Sequence, residues 1–188
     1  MIALRFARVG DAPAIAALVD SLVRTTAINF KSTGPTGEQL AARFEAELPI
    51  YPWVVAYDGD RFAGYAMARD CGGAEGERWN VETGLTLAPE ACGKGLGTRV
   101  YAATLAILAA QGFHNAFATI TLPNPASLAL HRRLEFTECG THPRAGWKLD
   151  RWHDVSWWHK ALATGAPGEL IAPAAVDPAV LARVFGEQ

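Results

Sequence analysis

Three closely spaced glycines, Gly93, Gly95 and Gly97, lie where a strand-like segment passes through a loop into a strongly helical segment. The first N–H groups of a helix have no partner within the helix, and the helix dipole adds partial positive charge at that end. Glycines let the backbone approach a phosphate closely because they carry no Cβ atom. The segment is therefore suited to binding a phosphate or another anion.

Known phosphate-binding loops differ in the residues around their glycines. A P-loop needs Ser or Thr after Gly-Lys, whereas Gly95 follows Gly93 and Lys94 here. A dinucleotide-binding loop needs the spacing Gly-x-Gly-x-x-Gly, which this segment lacks. Two interpretations stay open on the glycines alone: a loop for another phosphate-bearing ligand, and a tight helix entry with no ligand.

The elements around the loop predict a mixed α/β fold. Alternating apolar residues predict strands at 2–8, 53–57, 62–69, 78–87, 114–121 and 155–162. Helical spacing and capping residues predict helices after Asp11 and at 36–48, 98–110 and 125–134. The end of the chain is rich in Ala, Pro and Gly. We therefore expect one domain at residues 1–163 and a tail at 164–188, with a short helix at 178–185.

Composition excludes several classes of protein. A length of 188 residues suggests one domain, and 19% charged residues is ordinary for a globular chain. The net charge of −2 provides no basic surface for nucleic acid, and no apolar run is long enough to span a membrane. The N-terminus lacks the layout of a signal peptide, and the three cysteines include no CxxC pair. We expect a soluble, cytoplasmic protein without a disulfide framework or a metal site.

Two blocks of the sequence resemble the Gcn5-related N-acetyltransferases (GNAT). The coenzyme A loop of that family is written (Gln/Arg)-x-x-Gly-x-(Gly/Ala); Gly95 and Gly97 match it, and Cys92 replaces the Gln or Arg. The second block is written Asn-x-x-Ala-x-x-x-Tyr-x-x-x-Gly-Phe. Its Asn and Phe are matched by Asn124 and Phe136. The positions of its Ala, Tyr and Gly hold Ser127, His131 and Glu135.

Within this family the chain is similar to the phosphinothricin and methionine sulfoximine acetyltransferase branch, over roughly residues 3–162. The similar stretches are 24–30, 51–56, 79–82, 122–131 and 152–155. The resemblance implies a GNAT-type mixed central β-sheet, splayed near the cofactor and flanked by α-helices. It also implies a homodimer, acetyl-CoA as cosubstrate, and a small-molecule amine acceptor such as an amino acid or an amino-acid analogue.

The resemblance assigns proton transfer to Glu82 and His131. Glu82 lies where the branch carries its proposed general base, and a carboxylate there can take the ammonium proton of the acceptor directly or through water. The alternative for Glu82 is a strand residue in an ion pair. His131 lies where much of the family has a Tyr that protonates the leaving thiolate, and an imidazole can donate a proton near neutral pH. The alternative for His131 is a packed helix histidine.

The resemblance also implies which residues bind the coenzyme. The backbone groups of Leu85 and Leu87 pair with the pantetheine as a neighbouring strand would, and one of their N–H groups can hold the thioester oxygen. Asn124 can both cap a helix and face the coenzyme. The implied coenzyme-binding residues are Leu85, Leu87, Cys92, Gly93, Lys94, Gly95, Leu96, Gly97, Thr98, Asn124 and Ser127.

The acceptor pocket is expected among loops that carry aromatic and basic residues: Phe30, Arg69, Arg78, Trp79 and Trp147. An Arg at this place can bind a carboxylate or a phosphinate bidentately, and the alternative for either Arg is a surface charge.

Two other functions stay open. One is acetylation of a peptide or protein amine, and the other is acyl-CoA binding with little catalysis. The residues that differ from the family pattern are Thr86, where the branch usually has Tyr, Cys92 and Glu135.

Overall fold

The computed structural model describes residues 1–186 and contains a seven-stranded sheet with helices on both faces. The strands are β1 (Ile2–Phe6), β2 (Trp53–Asp58), β3 (Arg61–Asp70), β4 (Asn80–Leu87), β5 (Asn115–Thr121), β6 (Thr137–Lys148) and β7 (Arg151–Ala161). The helices are α1 (Ala12–Thr25), α2 (Gly37–Glu47), α3 (Leu96–Gln111), α4 (Pro125–Arg133) and α5 (Pro178–Phe185). None of the helices within residues 1–186 is long and apolar enough to cross a membrane.

The strand order is β1-β2-β3-β4-β5-β7-β6, and every neighbouring pair is antiparallel except β4 and β5. The parallel pair is short: it joins Asn80–Glu82 to Asn115–Phe117 and then ends, although both strands continue. The two strands therefore diverge and leave a gap in the middle of the sheet. This arrangement confirms the predicted mixed, splayed sheet.

Each face of the sheet has its own hydrophobic core. One core lies under α1 and α2 and includes Ile15, Phe44 and Trp53. The other lies under α3, α4 and α5 and includes Val100 and Trp158. Because successive side chains of a strand point to opposite faces, neighbouring residues of β2 and β3 contribute to different cores.

The edge strand β6 was not predicted from the sequence. Its residues are mostly exposed, and Gly140, Pro143 and Gly146 interrupt any alternation of apolar side chains. Its pairing with β7 also shifts register twice, between Glu138 and Gly140 and between His142 and Gly146. A period-two pattern arises when one face of a strand is buried and needs apolar side chains. Neither face of β6 is buried, and its bulges shift the alternation, so no such pattern is present.

The chain beyond residue 163 crosses α3 and returns toward β1. Gln111 holds it, because Gln111 Nε2 donates to the carbonyls of Ile171, at 2.8 Å, and Ile50, at 3.1 Å. The helix predicted at 178–185 is present as α5, and the ring of Phe185 packs edge-on against Phe6 at 5.0 Å. The predicted tail ends at 188, and its last two residues lie outside the described part of the chain.

A buried carboxylate fixes the start of α1 against β1. Asp11 accepts two hydrogen bonds of 2.7 Å from the Arg5 guanidinium, one of 2.7 Å from the Tyr57 hydroxyl and one of 2.7 Å from the Arg8 N–H. Burial alone raises the pKa of Asp11, but these hydrogen bonds outweigh it and hold that pKa below its ordinary value. The network stabilises the folded state only while Asp11 is ionised.

Candidate active site

The glycine loop joins β4 to α3 as predicted, but its glycines serve different purposes. Gly93 and Gly95 have φ angles of 74° and 78°, in the left-handed region that favours glycine. Apart from its two chain neighbours, neither glycine has a described residue with an atom within 4 Å of an added Cβ, so the space above them is open. At Gly97 an added Cβ would lie 3.0 Å from Leu85 and 3.4 Å from Leu87. Gly97 therefore allows α3 to pack closely on β4.

The first turn of α3 presents free N–H groups beside this open space. The first hydrogen bond of the helix runs from the Arg99 N–H to the Gly95 carbonyl, so the N–H groups of Leu96, Gly97 and Thr98 precede the helical ladder. Lys94 lies in the loop before them, and its Nζ donates to the Glu90 carbonyl at 2.8 Å. These groups form a setting for an anion at the end of the helix.

Cys92, at the position where the family pattern has Gln or Arg, is exposed at the edge of the loop. Its Sγ lies 3.5 Å from the Ala88 carbonyl. A thiol donates only a weak hydrogen bond, so Cys92 cannot offer the charge-assisted contact of an Arg.

The edge of β4 that faces β5 is unpaired beyond Glu82. The Ala88 N–H donates to the Ala63 carbonyl of β3. Because backbone N–H groups alternate in direction along a strand, those of Leu85 and Leu87 point the opposite way, into the gap. The sequence-predicted backbone contacts of these two leucines are thus available to a ligand lying in the gap.

Thr83 links the two strands at the point where they separate. Its Oγ1 donates to the Phe117 carbonyl at 3.1 Å and lies 2.8 Å from the hydroxyl of Tyr101 on α3. Both side chains are buried. Sequence reasoning missed this pair, and the only available signal was a hydroxyl residue at a core-facing position of β4.

Glu82 lies directly opposite Arg69 in the β3–β4 ladder, and Arg69 Nη2 contacts Glu82 Oε1 at 2.5 Å. Both side chains point to the face covered by α1 and α2, because the alternate residues Val81 and Thr83 are buried in the other core. The ion pair is the alternative that the sequence left open for Glu82. Glu82 is 24% exposed and Arg69 is 44% exposed, so solvent and small molecules can reach both.

The same face carries a row of side chains across the gap. Glu82 is in register with Phe117 on β5, and Phe117 is in register with His159 on β7. The rings of Phe117 and His159 lie 5.1 Å apart, and His159 Nε2 lies 2.8 Å from Asn115 Oδ1. The apolar ring of Phe117 therefore separates the charged pair from a hydrogen-bonded imidazole.

His131 lies on the opposite side of the sheet from Glu82 and is buried. Its Nδ1 lies 2.8 Å from the Ser127 carbonyl, which only accepts, so Nδ1 carries the proton. Its Nε2 lies 3.3 Å from the Tyr101 hydroxyl. Burial lowers the pKa of His131, against the Ser127 hydrogen bond, which raises it. The ring is thus neutral near pH 7, and it can donate from Nε2 only after it has taken up a proton there.

Asn124 and Ser127 organise the first turn of α4. The Asn124 side chain accepts from the Ser127 N–H at 3.1 Å and caps the helix, as predicted. The Ser127 Oγ lies 3.3 Å from His131 Nδ1. These contacts fix the position of His131 below the gap.

Phe30 lies on the same side of the sheet as Glu82, in the loop between α1 and α2. Its ring covers Gly146, where an added Cβ would come within 2.4 Å of it, and lies 6.2 Å from the ring of His153. Lys148 ties this loop to the β6–β7 hairpin by donating to the carbonyls of Asn29, at 2.9 Å, and Lys31, at 2.8 Å. The loop is therefore held over the sheet face.

Phe30 also lines a cavity of about 580 Å³. Arg43 of α2 borders it and places its guanidinium 5.3 Å from the centre of the Trp53 ring. Within residues 1–186, Arg69 Nε and Trp53 Nε1 are buried donors without a hydrogen-bond partner. Trp53 is in register with Met67, two residues before Arg69 on β3, so both donors belong to the same face.

The other three residues expected around the acceptor lie elsewhere. Trp147 follows Gly146 and so points to the opposite face of the hairpin, where its ring packs edge-on against Trp152 at 5.6 Å. Trp79 Nε1 donates to the Gly168 carbonyl of the tail at 2.7 Å, and the Arg78 guanidinium stacks 4.1 Å above the Trp79 ring. The structure groups Arg78 and Trp79 with the tail rather than with Glu82.

Comparisons of sequence and of structure match the chain to the same kind of protein. A sequence profile described as the acetyltransferase (GNAT) family matches residues 19–136. The chain is 32% identical to the phosphinothricin N-acetyltransferase of Streptomyces viridochromogenes, over 90% of this chain and 93% of that protein. It is 35% identical to the L-methionine sulfoximine/L-methionine sulfone acetyltransferase of Pseudomonas paraeruginosa, over 82% of this chain and 91% of that protein.

A solved structure resembles the fold over nearly its whole length. The phosphinothricin acetyltransferase of Sinorhizobium meliloti, crystallised in complex with acetyl-CoA, superposes with a TM-score of 0.84 at 31% sequence identity. The match covers 93% of this chain and 97% of that one.

Proposed function

Because the chain belongs to the acetyltransferase (GNAT) family, we propose that it transfers the acetyl group of acetyl-CoA to the amine of a small amino acid or amino-acid analogue. The observation that carries this proposal is the combination at the gap in the sheet. A free strand edge and a glycine loop at a helix start lie on one side, and a carboxylate paired with a guanidinium lies on the acceptor-facing side.

Acetyl-CoA fits the gap by shape and by hydrogen bonding. The space above Gly93 and Gly95 is open, and the adjacent first turn of α3 offers N–H groups to the pyrophosphate. The free edges of Leu85 and Leu87 pair with the pantetheine as a strand would. The other members of the proposed coenzyme site are Cys92, Lys94, Leu96, Gly97, Thr98, Asn124 and Ser127. The S. meliloti protein was crystallised with the same coenzyme.

The acceptor is proposed to be a zwitterion. An amino acid carries an ammonium and a carboxylate a few ångströms apart, and Glu82 and Arg69 present the complementary charges side by side. The Arg69 side chain is 44% exposed, so its guanidinium can also donate to a carboxylate or phosphinate while Nη2 contacts Glu82. The named relatives act on phosphinothricin or on methionine sulfoximine and sulfone. Phe30 lies on the same side of the sheet as Glu82, and the cavity that it lines offers space for the side chain of the acceptor.

The chemistry divides between the two faces of the sheet. Glu82 takes a proton from the acceptor ammonium, and the neutral amine then attacks the thioester carbonyl in the gap. The N–H of Leu85 or Leu87 stabilises the oxygen as negative charge develops on it. As the C–S bond breaks, the new amide nitrogen releases its second proton to solvent, and His131, on the other side, supplies a proton toward the leaving thiolate after Nε2 has been protonated.

We also propose that the protein is a homodimer and works in the cytoplasm. The exposed edge strand β6 and the exposed rings of Trp147 and Trp152 offer a surface for a second copy. The free thiols of Cys71, Cys92 and Cys139 fit a reducing compartment.

A thiol-release assay tests the proposed function. Acetyl-CoA is supplied with phosphinothricin, methionine sulfone, ordinary amino acids, the decarboxylated amine of each, and a short peptide with a free N-terminus. We expect turnover with at least one free amino acid, and much less with its decarboxylated amine because the contact to Arg69 is lost. Turnover with the peptide alone would favour the protein-amine alternative, and binding of acetyl-CoA without any turnover would favour a catalytically weak acyl-CoA-binding protein.

A further inference from the structure

A chain of buried polar groups runs through the core behind the gap. It begins at the Ser127 carbonyl, passes through both nitrogens of His131 and the hydroxyl of Tyr101, and ends with Thr83 at the Phe117 carbonyl. His131, Tyr101 and Thr83 are each at most 5% exposed. Nothing in the proposed chemistry so far uses Tyr101 or Thr83.

The number of available protons makes this chain depend on the charge of His131. Three contacts follow Nε2 toward β4: His131 to Tyr101, Tyr101 to Thr83, and Thr83 to the Phe117 carbonyl. The two hydroxyls supply two protons, so a neutral His131 leaves one of the three contacts without a hydrogen. When Nε2 is protonated there are three protons for three contacts, and all of them point from His131 toward β4.

We propose that Tyr101 and Thr83 are positioning residues for His131, which hold its Nε2 in place and accept, as one directed chain, the hydrogen bond of its protonated form. Thr83 ends this chain at the point where β4 and β5 separate. The hydrogen bonds therefore connect the charge on His131 to the end of the gap between these strands. Hydrogen bonds to the charged form favour that form, and they offset the burial that opposes it.

The surroundings of the ring leave few other groups for this task. The rings of Phe136, Tyr101 and Trp158 lie 5.0, 5.3 and 6.2 Å from it. Two charged groups are near these partners. Glu82 lies beside Thr83 on the other sheet face. Burial is the main cause that raises the pKa of Tyr101, and the negative charge of Glu82 also raises it. The Arg132 guanidinium lies 5.5 Å from the Trp158 ring. Neither makes a hydrogen bond to His131 within the described residues.

The test is an NMR titration of the histidine rings in the parent, Tyr101→Phe and Thr83→Val, with the His131 signal identified by its loss in His131→Gln. Tyr57→Phe is the matched control, because it removes a hydroxyl that bonds Asp11 on the other side of the sheet. We expect the Nδ1–H tautomer in the parent. In Tyr101→Phe the pKa of His131 should fall by about one pH unit, the equivalent of one lost hydrogen bond, and in Thr83→Val by less. Tyr57→Phe should leave it unchanged.

The kinetic part rests on the proposed acetyl transfer, whereas the titration does not. Tyr101→Phe should lower kcat near neutral pH by about tenfold and move the His131-dependent limb of the pH profile to lower pH, with the KM for acetyl-CoA nearly constant. An unchanged His131 titration in Tyr101→Phe, or a parent ring protonated at Nε2 rather than Nδ1, would overturn the inference. A shifted titration with unchanged kcat would support the positioning role and remove His131 from the proposed reaction.

Discussion

The two glycines that match the coenzyme loop pattern should respond differently to the same substitution. Gly95 has a φ of 78° and open space where a Cβ would be, whereas Gly97 has a helical backbone and a Cβ position 3.0 Å from Leu85. Gly95→Ala therefore combines backbone strain with an obstacle on the ligand side. Gly97→Ala acts on the packing of α3 against β4 and leaves the ligand side free.

The expected magnitudes follow from these contacts. A left-handed alanine at 95 costs roughly 1–2 kcal/mol of folding free energy. If its Cβ keeps the pyrophosphate from one or two charge-assisted N–H contacts, binding weakens by about 1.5–3 kcal/mol, or about 10- to 150-fold in Kd. At Gly97 the helix gains about 1 kcal/mol from alanine, and overpacking against Leu85 costs roughly 1–3 kcal/mol. The net loss of stability at 97 is then about 0–2 kcal/mol, with Kd nearly unchanged.

Calorimetric titration with acetyl-CoA and thermal unfolding of both variants measure these quantities separately. Gly95→Ala should raise Kd at least tenfold, and Gly97→Ala should stay within about threefold of the parent. Gly95 does not adjoin the pyrophosphate if Gly95→Ala binds acetyl-CoA like the parent, or if Gly97→Ala loses more affinity than Gly95→Ala although both variants remain folded.

Two further predictions concern the charged pairs on the α1–α2 side of the sheet. In steady-state kinetics, Arg69→Ala should raise the KM for an amino-acid acceptor by about tenfold or more and leave the KM for acetyl-CoA nearly constant. The control is Arg61→Ala, which removes the exposed partner of Glu90. Equal acceptor KM values in the parent and in Arg69→Ala would contradict the proposed contact. Asp11→Asn should lower the free energy of unfolding by roughly 2–3 kcal/mol in urea titrations near pH 7, while Asp58→Asn, whose carboxylate is exposed, should change it little. The pKa of Asp11 is lowered in the folded state, so its ionised carboxylate stabilises the protein at pH values above its unfolded-state pKa. This stabilisation is lost as the pH falls below about 4. The difference in free energy of unfolding between the parent and Asp11→Asn should therefore narrow at low pH.

Sequence reasoning recovered the elements whose side chains alternate between core and solvent or follow helical spacing. It placed β2, β3, α3 and the cap of α4 nearly at their observed bounds, because local pattern and tertiary burial agree in those segments. It failed at β6, where an exposed, bulged edge strand has no burial pattern to reveal it.

The candidate site divides in the same way. The glycine loop followed from residue type and order in the chain, whereas the ion pair of Glu82 was only the alternative that the sequence left open beside its role as general base. The direction of a side chain was not available from order alone: Trp147 points away from Phe30, and Trp79 is engaged by Gly168 of the tail, 89 residues later. Tyr101 and Thr83 are 18 residues apart and meet only because α3 packs on β4, so their spacing in the sequence does not predict the contact.

Glu82 is proposed to take the proton of the acceptor amine during acetyl transfer, and the pH dependence of Glu82→Gln shows whether it does. Glutamine keeps the size of the side chain and removes the base, so kcat/KM near neutral pH should fall by roughly 10²–10⁴-fold. The deficit should shrink as the pH rises, because more of the acceptor is then already neutral. Glu90→Gln, which removes an ion-paired carboxylate beside the glycine loop, should keep the parent profile. Parent rates for Glu82→Gln across the whole pH range would mean that Glu82 is not the base and is only the structural partner of Arg69.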